Sequence, residues 1–290
     1  TIKEIDAKVV VYGGRYGLAS KNTTPAMIKG LFDYMDMRDM HNNFTLGIVD
    51  DVTNLSIPYD KHFSIPHNNV EFLVYGFGSD GMVSACKDLM KITGTYTNAY
   101  VQGYFQYDSK KSGGVTISHL RFGKKPIQST YYVEKASLII CTKDSYLKKL
   151  KMLDKISNKG VFVLNTTHTA DEVLEMMSIH DKKILHDRNI KMFIINASGL
   201  AAEAGINGKI SAIMETLIFK LGKIVDFNFA YNKIKENLVT KFQNKGGDIA
   251  LKNMKAIDNS LDALVPVKVP YVDYAPQFEK KKGSKNYLIK

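Results

Sequence analysis

The sequence predicts an α/β protein built on a doubly wound, mostly parallel sheet, and three observations carry that expectation. From Val70 onward, short apolar β-branched runs alternate with segments of helical period. One run, Phe72–Tyr75, breaks directly into the turn Gly76-Phe77-Gly78-Ser79-Asp80-Gly81. After that turn, Val83, Cys86, Leu89, Met90 and Ile92 recur near a helical period. Alternation of this kind implies parallel strands with helices on both faces. Glycines at G-x-G-x-x-G spacing between a strand and a helix make the expected sheet Rossmann-like.

Along the chain, Lys8–Tyr12 reads as a short strand ending in Gly13-Gly14, Pro25–Met35 as a helix, and Thr45–Val49 as a strand closed by Asp50-Asp51. Together they make a partial βαβ unit, too short to be a domain alone. Residues 56–69 carry two prolines and no periodicity, which marks the best linker. Beyond the glycine turn, Ala99–Tyr107 is strand-like and leads through Asp108–Gly114 into Val115–Arg121, which alternates apolar and polar positions. Ala136–Cys141 reads as a fully apolar strand followed by a helix through Leu153. Val161–Leu164 and Lys191–Ile195 are further buried strands, with a helix at Thr169–His180 between them. The last third is helical, over Lys209–Leu221, Phe227–Phe242 and Asp248–Leu261, and the tail after Pro270 lacks periodicity and is expected to be poorly ordered.

Composition narrows the class. The 290 residues are 44% hydrophobic and 24% charged, ordinary for a globular chain with a sizeable core. No apolar run approaches the ~20 residues that span a bilayer, so no membrane partner is expected. The first residues show no apolar signal region, and a cytoplasmic location is expected. The net charge of +11 comes from 36 Lys and only four Arg, scattered except for five lysines in Glu279–Lys290. Base and phosphate readout favours the bidentate guanidinium, so this excess reads as a solvated surface and no nucleic-acid partner is expected. The two cysteines, Cys86 and Cys141, stand in apolar contexts and cannot hold a cluster; they read as buried thiols. No H-E-x-x-H or Gly-x-Ser-x-Gly pattern is present, and no catalytic or metal-binding residues are assigned.

The glycine turn is the nucleotide candidate. Glycines allow positive φ and close backbone approach to an anion, and the helix that follows offers free N–H groups and a partial positive charge. An NAD site would need an acidic residue about 20 residues on. Asp108 ends the next strand but lies 27 residues beyond Gly81 and is followed by Lys110 and Lys111. Two lysines beside Gly113-Gly114 suit a phosphorylated ribose, as in NADP or coenzyme A, or else form a solvated hairpin loop. Asp80 inside the turn reads as an Asx-type cap or as an acceptor for a ribose or amide group. Elsewhere, Arg15 reads as an interface anchor, adjacent Asp50 and Asp51 point to opposite faces and cannot share a metal, and His119 reads as a core or interface histidine.

Several long motifs carry a resemblance. Gly14–Leu18 with Ser20-Lys21 and Pro25, and then Phe44–Thr53 (FTLGIVDDVT), resemble the end of the second, transketolase C-terminal-like domain of pyruvate:ferredoxin (flavodoxin) oxidoreductases. Tyr75–Gly81, Tyr107–Gly123 and Gly205–Leu221 resemble the following gamma-type domain. The resemblance implies domain boundaries at 1–62, 63–265 and a linker or tail at 266–290. It implies oxidative decarboxylation of pyruvate with coenzyme A to acetyl-CoA and CO2, with ferredoxin or flavodoxin as electron acceptor. Thiamine diphosphate and iron–sulfur clusters would lie in other domains of the same enzyme, which would be a homodimer in the cytoplasm or, in an anaerobic eukaryote, a hydrogenosome-like organelle. The gamma-type domain is the part associated with coenzyme A. By that resemblance Gly76, Gly78, Ser79, Asp80 and Gly81 line the nucleotide, Lys209 and Ser211 stand where the family has an Arg and an Asn, and Lys110 and Lys111 belong to the same face. The chain departs from the pattern at Cys86 (family Asn), Lys209, Ser211 and Glu215 (family Gln); Arg-to-Lys loses bidentate phosphate geometry and Asn-to-Cys a two-way hydrogen-bonding amide. A non-catalytic coenzyme A- or NADP-binding or scaffold module with a degenerated site is the alternative reading.

Overall fold

The computed structural model describes residues 4, 8–18, 22–37, 40–48, 52–108, 114–206, 208–243 and 247–271. Its centre is a seven-stranded sheet made of β3 (Val70–Phe77), β4 (Tyr100–Tyr107), β5 (Val115–Gly123), β6 (Ala136–Cys141), β7 (Ile156–Asn165), β8 (Lys191–Ile195) and β9 (Val265–Val267), in the order β4-β5-β3-β6-β7-β8-β9. The four inner strands β3, β6, β7 and β8 run parallel. The outer pairings β3–β5, β4–β5 and β8–β9 are antiparallel, so the sheet is mixed with a parallel centre. The antiparallel side arises because β4 and β5 are joined by a short connection across 108–114, which a parallel pair could not use.

Side chains alternate between two cores. Phe72, Val74, Leu138, Ile140 and Val163 face one side, where they meet α2 (Met82–Tyr96) and α6 (Ser211–Gly222). Leu73, Tyr75, Ile139, Phe162 and Leu164 face the other side, covered by Tyr146, Leu147, Met152 and Leu153 from the segment between β6 and β7, by α3 (Ala170–Met176) and by α4 (Ile179–Asp187). Every residue from Ala212 to Phe219 is buried, since α6 is sandwiched between the sheet and an outer layer formed by α7 (Phe227–Phe242) and α8 (Gly247–Ser260). A helix apolar on all sides can only be an internal one. One further helix, α5 (Ala197–Glu203), follows β8 directly. Among the described residues no helix is long and apolar enough to cross a membrane.

Ahead of the sheet stands a small unit: β1 (Gly14–Arg15), α1 (Pro25–Met35) and β2 (Phe44–Thr45), with β1 and β2 parallel. Tyr34, Phe44, Leu46 and Ile57 form its own core. Thr24 caps α1 through its Oγ1, which accepts from Met27 N, and Pro25 fills the first helical position.

Several element expectations need correction. Lys8–Tyr12 is not a strand; the pairing falls on Gly14–Arg15, and among the described residues of Thr45–Val49 only Thr45 belongs to a strand, β2 (Phe44–Thr45). No α-helix follows Cys141, only two 3-10 turns, Asp144–Tyr146 and Met152–Lys155. Apolar spacing in that stretch comes from Tyr146, Leu147, Met152 and Leu153 plugging the core from a loop. Thr169–His180 is two helices, because Ser178 accepts from Asp181 N and starts a second cap. The tail after Tyr271 lies outside the described residues.

Candidate functional site

The turn after β3 is held by its own aspartate. Asp80 Oδ2 accepts from Phe77 N at 2.6 Å and from Thr142 Oγ1 at 2.8 Å, while Oδ1 accepts from Met82 N at 2.9 Å. The first N–H of α2 is therefore occupied by a carboxylate of the chain itself, which the Asx-cap reading anticipated. Ser79 and Gly81 both take positive φ, 85° and 86°. Gly78 N donates to Gly114 O at 3.0 Å, and a Cβ on Gly76 would sit 2.8 Å from Thr116 Oγ1. Gly76 and Gly78 thus let the turn lie flat on β5.

Gly81 stands where two helices begin. A Cβ there would meet Ser211 Cβ at 3.1 Å, so the N-termini of α2 and α6 are in contact. Neither helix has a side-chain cap on its N-cap residue, Gly81 or Ile210. The first intrahelical bonds are made by Ala85 N to Gly81 O and Met214 N to Ile210 O. First-turn N–H groups ahead of those have no intrahelical partner and create a positive end on each helix. Exposed Lys209 stands beside them. Below this mouth lies a cavity of about 510 Å³ between α2, α6, α7 and α8, with Ser84, Asp88, Glu215, Lys241 and Asn253 among its polar lining and Ala85, Ala212, Ile234 and Leu238 among its apolar walls. Lys241 Nζ lies 3.5 Å from Asp88 Oδ2. Glu215 is 7% exposed, and burial, reinforced by the Asp88 charge and opposed by Lys241, pushes its carboxyl well above the ordinary range.

A second cavity, about 280 Å³, opens at the carboxyl ends of β3, β6 and β7, where the helices switch from one face of the sheet to the other. Crevices outside the carboxyl ends of parallel strands are the usual ligand position in such sheets. Here Asp80, Thr142, Asp144, Asn165, Thr166 and Ser198 gather. Those polar groups already satisfy one another: Asn165 Nδ2 donates to Thr142 O, Asn165 Oδ1 accepts from Ala197 N, and Thr166 Oγ1 donates to Asp144.

The structure therefore divides the residues singled out from sequence. Gly81, Lys209 and Ser211 converge on the larger cavity, Asp80 faces the smaller one, and Gly76 and Gly78 support the turn. Ser79 supplies a strained link and lines neither cavity. Lys110 and Lys111 lie outside the described residues. Cys86 does not line the larger cavity: it is fully buried against the sheet, and burial pushes its thiol up to about 12. Asp88, Asn237, Lys241 and Asn253 were not recognised from sequence. Polar residues spaced along amphipathic helices look like solvated positions until α7 and α8 fold back over α6. Among the described residues no group of three or more His, Cys, Asp or Glu is placed to hold a metal ion.

Comparison with known proteins agrees with this architecture. The sequence model of a family described as pyruvate ferredoxin/flavodoxin oxidoreductase matches residues 71–263. The chain is 41% identical to the pyruvate:ferredoxin oxidoreductase of Moorella thermoacetica over 93% of its own length and 23% of that protein. It is 43% identical to the pyruvate-flavodoxin oxidoreductase of Trichormus variabilis over 88% of its length and 21% of that protein. The chain thus spans under a quarter of the curated relatives it matches. Among solved structures, a pyruvate oxidoreductase subunit of Thermotoga maritima aligns with a TM-score of 0.55 at 16% identity, over 69% of this chain and 99% of that one. A 2-oxoglutarate:ferredoxin oxidoreductase from Magnetococcus marinus, solved with 2-oxoglutarate, coenzyme A and succinyl-CoA bound, aligns with a TM-score of 0.53 at 17% identity, over 72% of this chain and 34% of that one. At those identities the two structures speak for the shared fold.

Proposed function

Because the chain belongs to the pyruvate ferredoxin/flavodoxin oxidoreductase family, we propose that it is the coenzyme A-binding segment of an enzyme that decarboxylates pyruvate oxidatively to acetyl-CoA and CO2. Ferredoxin or flavodoxin takes the two electrons, and thiamine diphosphate and the iron–sulfur clusters belong to other domains of the same protein. In this reading residues 1–62 end one domain, 63–265 form the coenzyme A-associated domain, and 266–290 lead onward.

One observation carries the ligand assignment: two helix N-termini and Lys209 meet at the mouth of one cavity, at Gly81 and Ser211. Phosphates are attracted to such a place by oriented N–H groups and by the partial positive charge of each helix end. Asp80 takes only the first N–H of α2, so the remaining first-turn N–H groups of both helices stay available. Lys209 supplies a point charge where a guanidinium would bind bidentately, so it attracts a phosphate with less geometric selectivity. Cys86 is not among the residues lining this cavity, so the thiol itself makes no contact there.

The test is calorimetric titration of coenzyme A into the protein and into its Lys209→Ala variant. Saturable binding that weakens about tenfold on losing the ammonium supports the assignment. Binding unchanged by Lys209→Ala would place the phosphates elsewhere. Absence of any binding would favour the second reading, a degenerated nucleotide module. The observation behind that reading is the Asp80 carboxylate lodged at the head of α2, where it competes with an incoming anion.

A further inference from the structure

We propose that the inner end of the larger cavity receives the purine base of an adenine nucleotide, and that Glu215 reads the 6-amino edge of that base. The proposal rests on the coenzyme A assignment above and concerns the part of the ligand that the phosphate contacts do not select.

The cavity has two chemically distinct ends. Ser84 and Asp88 lie four residues apart on α2, as Ser211 and Glu215 do on α6, and both pairs line the same space. Four residues of helix advance about 6 Å. Each helix therefore places a hydroxyl at the anion-attracting mouth and a carboxyl one turn further in. A nucleoside phosphate has the same layout, a charged end and an aromatic base separated by a ribose.

The groups facing the inner end are unequal. Asp88 on α2 is engaged by Lys241 on α7 at 3.5 Å. Asn253 on α8 is 5% exposed and donates to Ile249 O at 2.8 Å through Nδ2, which leaves its Oδ1 as an acceptor. Glu215 is 7% exposed, lines the cavity, and has no hydrogen-bond partner among the described residues. Burial, reinforced by the Asp88 charge and opposed by Lys241, pushes its carboxyl well above the ordinary range and so favours the neutral form. A neutral carboxyl presents one O–H donor beside one carbonyl acceptor. Adenine presents its amino donor beside a ring-nitrogen acceptor, which is the complementary edge. Ala85, Ala212, Ile234 and Leu238 supply apolar walls for the ring faces.

Other occupants fit less well. An alkyl chain would leave the buried Glu215 carboxyl with no partner, at a desolvation cost. A phosphate at this end would find the Lys241 ammonium already paired with the Asp88 carboxylate. A purine pairs the polar groups and fills the slot, and the cavity volume falls within the range for small-molecule sites.

The test compares adenosine 3′,5′-bisphosphate with the matching purine-riboside bisphosphate, which lacks the 6-amino group. Each is titrated into the wild-type protein and into Glu215→Gln and Glu215→Leu, with coenzyme A run in parallel and circular dichroism confirming the fold. The expected result is about tenfold tighter binding of the amino-bearing ligand to wild type, retained by Glu215→Gln, whose amide keeps a donor beside an acceptor, and abolished by Glu215→Leu. Raising the pH until Glu215 ionises removes the donor and narrows the same ratio. Equal binding of the two bisphosphates to wild type, with coenzyme A still bound, overturns the base assignment while leaving the coenzyme A reading intact. Discrimination that survives Glu215→Leu overturns the role of Glu215. Failure of coenzyme A itself to bind overturns both.

Discussion

His119 sits on β5 at 2% exposure, stacked on Tyr132 with ring centroids 4.6 Å apart. Its Nδ1 accepts from Val133 N at 3.1 Å, so the proton of the neutral ring belongs on Nε2, a buried atom with no partner. Burial, with the Lys155 and Arg121 charges adding to it, lowers its pKa from 6.5 to about 3. The folded state therefore keeps this ring neutral while the unfolded chain takes up a proton below about pH 6.5. The linked stability is fully present above that pH and drains away as pH falls toward 3, by up to about 1.4 kcal/mol per pH unit. Urea denaturation at pH 7 and pH 4.5 should show a clear loss in wild type and a shallower one in His119→Gln; equal slopes would mean that the ring is solvated. Sequence reasoning identified the residue as a core or interface histidine but not its half-satisfied state, which depends on the 124–135 segment folding over the hairpin. The same limit applied at Asp80. A capping carboxylate was foreseen from the turn, whereas its third donor, Thr142, comes from 62 residues away.

At the scale of elements, what was legible followed local pattern. The β3–turn–α2 unit, the β4–β5 hairpin and the long helices α6 to α8 all have periodicity strong enough to survive into the fold. Failures fell where apolar spacing served loop plugs, as at Tyr146–Leu153, or where pairing needed distant partners, as at the short β9 (Val265–Val267). Convergence of α2, α6, α7 and α8 on one cavity was not readable, because it depends on how an outer helix pair docks on an inner one. The docking of α6 itself turns on Gly222. A Cβ at that position would lie 2.4 Å from Cζ of Phe72, whose ring is fully buried in the centre of the sheet. Ala is favoured over Gly in a helix by up to about 1 kcal/mol. Overpacking against a ring that cannot move costs about 1–3 kcal/mol and outweighs that gain. Gly222→Ala should therefore lower the unfolding free energy by about 1–2 kcal/mol; a stabilised variant would show that the ring and helix can separate.

For the whole molecule, the informative contrast is between the sheet domain and the small unit before it. Parallel strands are ordinarily covered on both faces, yet β1 and β2 form a two-stranded pair whose core, among the described residues, centres on Tyr34, Phe44, Leu46 and Ile57. Around it Val10 is 68% exposed, Val11 53% and Phe32 63%, and Tyr16 and Leu18 are exposed too. An apolar surface of this kind is the sort that an interface covers. In relatives more than four times as long there is ample chain to supply the cover. The 290-residue chain on its own should then self-associate through this patch. Light scattering should show Val10→Ser with Val11→Ser and Phe32→Ser shifting it toward monomer, with the melting of the 70–267 sheet domain unchanged, since none of the three residues belongs to its cores. Within a chain of the relatives' length, cover of this patch predicts that the same triple substitution lowers stability by stripping apolar contacts. A chain that is monomeric without substitution, or a triple variant that is neutral at the relatives' length, would show that this surface faces solvent throughout.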